Sequence, residues 1–416
     1  MKIAIFADNI SWRGVGVITH TQIELLAKRG IDILLMTSEE GRDLPPTVDV
    51  IKIPKISTGF SQVVKFASIW NALKPSLKDI DLVYIPNMWY SVVEHARRMH
   101  IPSVISVTMP WPVCYFGNLW LEHKPCSGCI WYHKAGQIQL ISKLLKCMTI
   151  KAKKFKPVAV SSMLISSFPK GYFIERALRK SDRIVAISET VKKWLTIRYP
   201  AVVDKIQVVH LGALFPPLPY VQPTQDRRLR LLYMSAPDEE KGIFNLIKAF
   251  SIAVRSDNAI TLTVLGGASS PRLKELITKL GLANYVTLMP WLPPQEYFKL
   301  LPDIVSRCDV VVVPSLYEDA WAGVTTQAMA LGRPVLVNPI GGLKEQVKEG
   351  FNGYYCDCSN VTLFARKILE LRALEKEEII KAGIRAREVV SRTYNPVKII
   401  DQLIDVFKEA LSENEH

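Results

Sequence analysis

Glu318 and Asp319 stand side by side in a loop, residues 315–323, which follows the apolar run VVVP and precedes a short segment of helical spacing, residues 324–331. Gly332 stops that segment, and a second apolar run, residues 335–337, begins. A strand, an acidic loop, a helix and a strand make a βαβ unit, whose ligands sit beyond the carboxyl end of the first strand. The N–H groups that open such a helix face an anion, so the order of residue types suits a ligand bearing hydroxyls and negative charge. Lys241 lies just past another apolar run, at the start of a second helical segment, where the plain reading is a solvated lysine that the helix dipole does not favour. Gly14 and Gly16 form a GxG at which backbone can approach a ligand closely. Thr19 stands where a dinucleotide fingerprint has its third glycine, which disfavours hydride transfer. Cys114, Cys126, Cys129 and Cys147 lie close in sequence and include a CxxC. Zinc, a disulfide and buried thiols all stand as readings of that group.

The elements that position these residues repeat one rhythm. Apolar runs at 3–6, 31–36, 82–85, 104–107, 184–187 and 206–209 alternate with helical segments such as 188–198. That alternation predicts a mostly parallel sheet with helices on both faces. The pattern breaks at FPPLPYVQPTQ, which holds four prolines and no period, and it restarts with strands at 229–234, 261–265, 286–288 and 310–313 and helices at 242–255 and 271–280. The expected organisation is an N-terminal domain over 1–213, a proline-rich linker over 214–228, a second domain over 229–395 and a C-terminal helix over 396–416 that packs back on one of the domains, the first being the expectation. Two doubly wound domains joined by one linker imply a cleft between their facing edges.

Of 416 residues, 49% are hydrophobic, enough for two cores and too many for a disordered chain. No run approaches the length of a membrane-spanning helix, and the start, MKIAIFADN, reaches Asp8 too soon for a secretory signal, so the expected location is the cytoplasm. The net charge of +14 arises wholly in residues 1–200, with 28 Lys/Arg against 14 Asp/Glu. Residues 134–180 hold eleven basic side chains and one acid, Glu175, interleaved with apolar residues. Such a stretch suits an anionic membrane surface on the inner face of the cell membrane, or a phosphorylated partner, and a solvated helix face is the plain alternative. The charge matches no nucleic-acid-binding motif, so no nucleic-acid partner is expected.

Residues 311–342 resemble the donor-site motif of the retaining glycosyltransferases of family 4. The resemblance extends over most of the chain, because the glycine loop, DRIVAISETVKKWL, Gly212 after a strand, EEKGIFNLIKAF, VLGG ending at Gly267, and GGLKEQVKEGFNG fall in the family's order. It implies the GT-B fold, an α/β architecture of two doubly wound Rossmann-like domains facing each other across a cleft. It also implies transfer of a sugar from a UDP- or GDP-sugar donor to a glycan or lipid-linked acceptor, in cell-surface polysaccharide or glycoprotein glycan synthesis. No cofactor and no catalytic metal are implied.

By the same resemblance Lys241 faces the donor diphosphate, Gly323 and Val324 offer it backbone amides, Asp319 orients the sugar hydroxyls with Glu318 as its possible substitute, and Gln327 accepts from the ribose hydroxyls. Gly14, Gly16, Thr108 and Gly267 complete the donor-binding set. Three positions depart from the family. Ala236 replaces an arginine, so Arg227, Arg228 or Arg272 would have to supply that cation. Gln327 replaces the second of two glutamates, with Asp319 in place of the first, and Thr108 replaces a histidine common near the transferring sugar. These departures keep open an alternative reading, a weakly active or inactive nucleotide- or glycan-binding partner of another glycosyltransferase. Trp321 suits either sugar stacking or core packing.

Overall fold

The computed structural model describes residues 1–7, 10, 14–38, 43–54, 66, 69–114, 119–121, 123–126, 146–147, 149–150, 171–223 and 226–413. The chain divides into two compact units. One comprises residues 1–122, 126–215 and 396–416, and the other comprises residues 123–125 and 216–395.

Among the described residues the first unit has one large sheet, built from β1 (Lys2–Phe6), β2 (Asp32–Thr37), β3 (Val48–Lys52), β4 (Leu82–Ile85), β5 (Ser103–Val107), β6 (Arg183–Ala186) and β7 (Ile206–Val208). The spatial order is β3-β2-β1-β4-β5-β6-β7 and every pairing is parallel. Strands β1, β4 and β5 are almost wholly buried and mostly apolar, with Ser103 and Ser106 the polar residues of β5, as suits strands covered by helices on both faces. Edge strand β3 is mostly exposed, and its VDVIK lacks the continuous apolar run by which the other strands declare themselves. The helix Pro396–Ser412 belongs to this unit. Its Phe407 packs on Tyr84 with ring centroids 5.1 Å apart, Asp401 takes two hydrogen bonds of 2.8 Å from Arg29, and Arg183 reaches Glu409 and Glu413.

The second unit has β8 (Leu229–Tyr233), β9 (Ile260–Leu265), β10 (Val286–Met289), β11 (Val310–Val313), β12 (Val335–Val337) and β13 (Gly353–Tyr355), in the order β10-β9-β8-β11-β12-β13, again all parallel. Helices Ile243–Ser256 and Val361–Ala373 cover one face, with Phe250, Phe364 and Ile368 fully buried among the strand valines and leucines. The proline-rich segment is fastened to this unit through residues 220–222. Arg333, 1% exposed, donates to the carbonyls of Val221 (2.7 Å), Gln222 (3.2 Å) and Cys308 (2.7 Å). Tyr220 lies over Gly332, where a Cβ would stand 2.5 Å from its ring. A guanidinium satisfying three carbonyls leaves no buried charge without partners, which is what makes its burial tolerable.

Among the described residues no helix is long and apolar enough to cross a membrane. Most of the basic stretch 134–180 lies outside the described residues. Within its described part Arg176 and Lys180 bind Glu94 at 3.1 and 2.7 Å, and Arg179 binds Glu175 at 2.9 Å.

Candidate functional site

In the second sheet the strand order reverses between β8 and β11, which lie side by side with Leu231 against Val310 and Leu232 against Val311. Chains leaving the carboxyl ends of two such strands depart to opposite sides, and a ligand crevice opens between them. The chain after β8 makes a single 3-10 turn, Glu239–Lys241, and the helix starts only at Ile243, two residues beyond Lys241. The two loops are sewn together. Leu316 N–H donates to the Glu240 carbonyl at 2.8 Å, and Gly242, at φ 76°, presses so close to Pro314 that a Cβ would stand 2.0 Å from its carbonyl oxygen. Only glycine fits there, and the backbone of Lys241 is fixed as a result.

From that backbone the Lys241 ammonium donates to Asp319 Oδ2 at 2.7 Å and to the Tyr317 hydroxyl at 2.7 Å. The Tyr317 hydroxyl in turn donates to the same Oδ2 at 3.1 Å. Lys241 and Asp319 side chains are 26% and 12% exposed. Burial works against the charge on Lys241, but the Asp319 carboxylate outweighs it and holds the lysine pKa well above its ordinary value. Burial and the same carboxylate push the Tyr317 phenol up, so it remains a neutral donor. The acidic loop is held from behind by Gly341 and Gly342. Gly342 N–H donates to the Asp319 carbonyl at 2.7 Å, and a Cβ on Gly341 would stand 2.6 Å from that oxygen.

Of the two acids, Asp319 is therefore the partner of Lys241, while Glu318 is exposed. Beyond them Ala322 is pinned by Gln346, which accepts from its N–H at 3.3 Å and donates to its carbonyl at 3.1 Å. The helix Gly323–Ala330 opens immediately after it, with Gly323 exposed and open space where its side chain would be. The amides of Gly323 and Val324 thus lie in the first turn, where the helix offers them no acceptor. One turn on, the Gln327 carbonyl already accepts from the Tyr297 hydroxyl at 3.0 Å. Trp321 is buried edge-to-face against Tyr394, centroids 5.1 Å apart, which is core packing. Gly267 is a packing glycine as well, since a Cβ would meet Val264 at 2.7 Å and Leu288 at 2.9 Å. Arg272 stacks on Phe244 at 4.3 Å and faces Glu239 at 3.8 Å, whereas the Ala236 carbonyl accepts from Tyr233.

The first unit's reversal falls between β1 and β4. Gly14, at φ 54°, opens the helix Val15–Lys28, and Gly16 is buried within it. Thr108 follows β5 and is 7% exposed, with a buried hydroxyl that has no partner among the described residues. Asn87 Oδ1, Trp89 Nε1 and Trp111 Nε1 are in the same condition, and Trp111 stacks on Tyr90 at 6.0 Å. Cys114 and Cys126 are free thiols, Cys147 is half-buried, Cys129 lies outside the described residues, and among the described residues no group of side chains is arranged to hold a metal. Sequence patterns did not single out Tyr317 or Tyr297. The first had a local signal, a tyrosine inside an acidic turn; the second is thirty residues from its partner and had none.

Residues 220–388 match the family described as Glycosyl transferases group 1. A D-inositol 3-phosphate glycosyltransferase of Salinispora tropica is 28% identical over 264 residues, 58% of this chain and 53% of that protein. The same-named protein of Acidothermus cellulolyticus is 26% identical over 96% of this chain and 86% of its own length. The chain spans about half the length of several of the curated relatives it matches. Among solved structures, sucrose-phosphate synthase from Thermosynechococcus elongatus has a TM-score of 0.69 at 16% identity, covering 99% of this chain and all of that one. HepE of Anabaena in complex with UDP and glucose has a TM-score of 0.66 at 16% identity, covering 98% of this chain and 99% of that one. These likenesses over the whole chain show the GT-B fold.

Proposed function

We propose that the chain, whose residues 220–388 match the glycosyl transferases of group 1, transfers a sugar from a nucleotide-sugar donor to a glycan or lipid-linked acceptor. One observation carries the reading. A half-buried lysine, paired with Asp319, and an open helix N-terminus stand on adjacent loops at the strand-order reversal of the second unit. Breaking the bond between the anomeric carbon and the donor diphosphate leaves charge on the departing oxygen, and fixed positive groups aimed at it lower the barrier. Lys241 and the amides of Gly323 and Val324 are those groups, which is why no metal ion is needed for this task. Asp319, beside Lys241, is the group that orients the sugar hydroxyls in this reading.

In the retaining form of this reaction the acceptor oxygen bonds to the anomeric carbon on the face the diphosphate leaves. The acceptor's proton passes to the departing phosphate oxygen, and no enzyme nucleophile intervenes. The Anabaena neighbour was solved with UDP and glucose, which supports a UDP-sugar as the first donor to try. The basic charge of the first half of the sequence supports an acceptor at an anionic surface, with the protein at the inner face of the cell membrane.

The test begins with thermal unfolding in the presence of nucleoside diphosphates and their sugars, since a ligand of the native state raises the midpoint. It continues with NMR of the product's anomeric configuration, in EDTA, from the donor that binds. Binding and turnover with retention are expected. Binding without turnover on any hydroxyl acceptor would leave a nucleotide-binding partner of another enzyme, and no binding at all would end the reading.

A further inference from the structure

The triangle at the strand-order reversal contains one member with no place in the transfer just described. We infer that Tyr317 is a positioning residue for diphosphate binding: its hydroxyl keeps the Asp319 carboxylate satisfied when Lys241 turns from that carboxylate to the ligand. The inference rests on the reading of the site under "Proposed function" and adds a residue to it.

The geometry supplies the argument. Lys241 Nζ and the Tyr317 hydroxyl converge on the same oxygen, Asp319 Oδ2, at 2.7 and 3.1 Å. With 12% of the Asp319 side chain exposed, water reaches little of it. An anion that draws the ammonium away therefore removes the main partner of a largely buried carboxylate, and such a charge left alone is strongly unfavourable. A neutral hydroxyl already donating to that oxygen remains when the lysine departs. The direction of the bonds is consistent, because an ammonium has donors only and must use the phenol oxygen as acceptor, which leaves the phenol proton for Asp319. The hydroxyl also stays in register with the lysine. Leu316, next to Tyr317, is bonded to Glu240, next to Lys241, at 2.8 Å, so the two loops move as one.

The experiment is calorimetric titration of the full chain with UDP, GDP and ADP and with the matching nucleosides. Tyr317→Phe retains the ring and removes the donor. The diphosphate that binds the unaltered protein should bind Tyr317→Phe about 10- to 30-fold more weakly, the scale of one hydrogen bond to a charged group, with nucleoside affinity unchanged. In an Asp319→Asn background there is no carboxylate to satisfy, and Tyr317→Phe should then alter diphosphate affinity by less than about 2-fold. Asp319→Ala serves as a second background in case the amide disturbs the loop, and thermal unfolding checks that each variant is native. A merely structural tyrosine would weaken nucleoside and diphosphate alike, in every background. That result, or an unchanged diphosphate affinity in Tyr317→Phe, overturns the inference while leaving the proposed function intact. Failure of the unaltered chain to bind any of the diphosphates would instead remove the reading on which the inference stands.

Discussion

The two strand-order reversals, one in each unit, share a topology and differ in chemistry. Beyond β8 and β11 the polar groups are paired and two of them are charged: Lys241, Tyr317 and Asp319 close a triangle, and Gly242, Gly341 and Gly342 let three stretches of backbone touch. At the strand ends of the first unit, Asn87, Trp89, Thr108 and Trp111 keep neutral polar atoms buried and, among the described residues, unpartnered. Gly14 there has open space around it. A charge already in place, needing only a change of partner, suits a ligand that carries the opposite charge. Neutral donors and acceptors with spare capacity suit hydroxyls. The same crevice-forming topology thus leaves the choice of ligand to the loops.

The largest expected effect tests the charged side. Lys241→Ala should lower donor turnover by about 100- to 1000-fold, the usual cost of one preorganised charge-stabilising group, read as nucleoside diphosphate released. A loss under about 5-fold would mean that the charge of the second unit is structural, and the comparison would fail. Next comes the backbone. Gly242→Ala sets a methyl 2.0 Å from the Pro314 carbonyl at φ 76° and should destabilise by about 3 kcal/mol or more, whereas Gly14→Ala, at φ 54° with nothing near it, should destabilise by about 1 to 2 kcal/mol. Urea unfolding of both variants reads the difference, and equal values would show that the two reversals are equally tight.

Much of this was legible in the sequence, for reasons that differ by region. The apolar runs VVVV and LVYI fixed the central strands because a strand buried on both faces has no polar positions. Strand β3 escaped because it is exposed, and β13 because GYY opens on glycine and has no run of aliphatic residues. Lys241, Asp319 and the start of the helix at Gly323 were legible through the resemblance, because the family's motifs stand at fixed offsets from the strands. The pairing of Asp319 rather than Glu318 with Lys241 was not, since which of two adjacent acids turns inward depends on Gly341 and Gly342, some twenty residues on. Gln327 was legible as a hydrogen-bonding group, but its engagement by Tyr297 required a helix from another part of the unit. Trp321 shows the reverse case, in which the plain expectation of core packing matches the observed contact with Tyr394.

A smaller effect separates the first unit's charges from its strand ends. Glu94 takes Arg176 and Lys180, and these cations, with the hydrogen bond from Arg176 foremost, hold its carboxyl down at about 2. A carboxyl depressed on folding stabilises the protein above its unfolded pKa, near the ordinary 4.5, and that contribution is lost as the pH falls toward 2. Glu94→Gln should therefore lower stability at pH 7 by about 1 kcal/mol and flatten the acid limb of the stability profile, with donor turnover unchanged. A fall in turnover would bring charge into the first unit's working surface and blur the contrast.

The smallest stability effect is the sharpest on the neutral side. Thr108→Val keeps the shape of the side chain and replaces a buried hydroxyl that has no partner among the described residues. Where a buried polar atom lacks a partner, exchanging it for an apolar one of equal shape is neutral or stabilising, so urea unfolding should change by no more than about 0.5 kcal/mol, or rise. If that hydroxyl is kept for a ligand, transfer should nonetheless fall by about 10-fold, the scale of one hydrogen bond. Stability held while transfer falls is the signature of a group whose partner arrives with the substrate. Loss of stability would instead mean that Thr108 is bonded within the fold. Unchanged transfer would leave the neutral group at the first unit's strand ends without a role, and the second unit's charged triangle would carry the recognition alone.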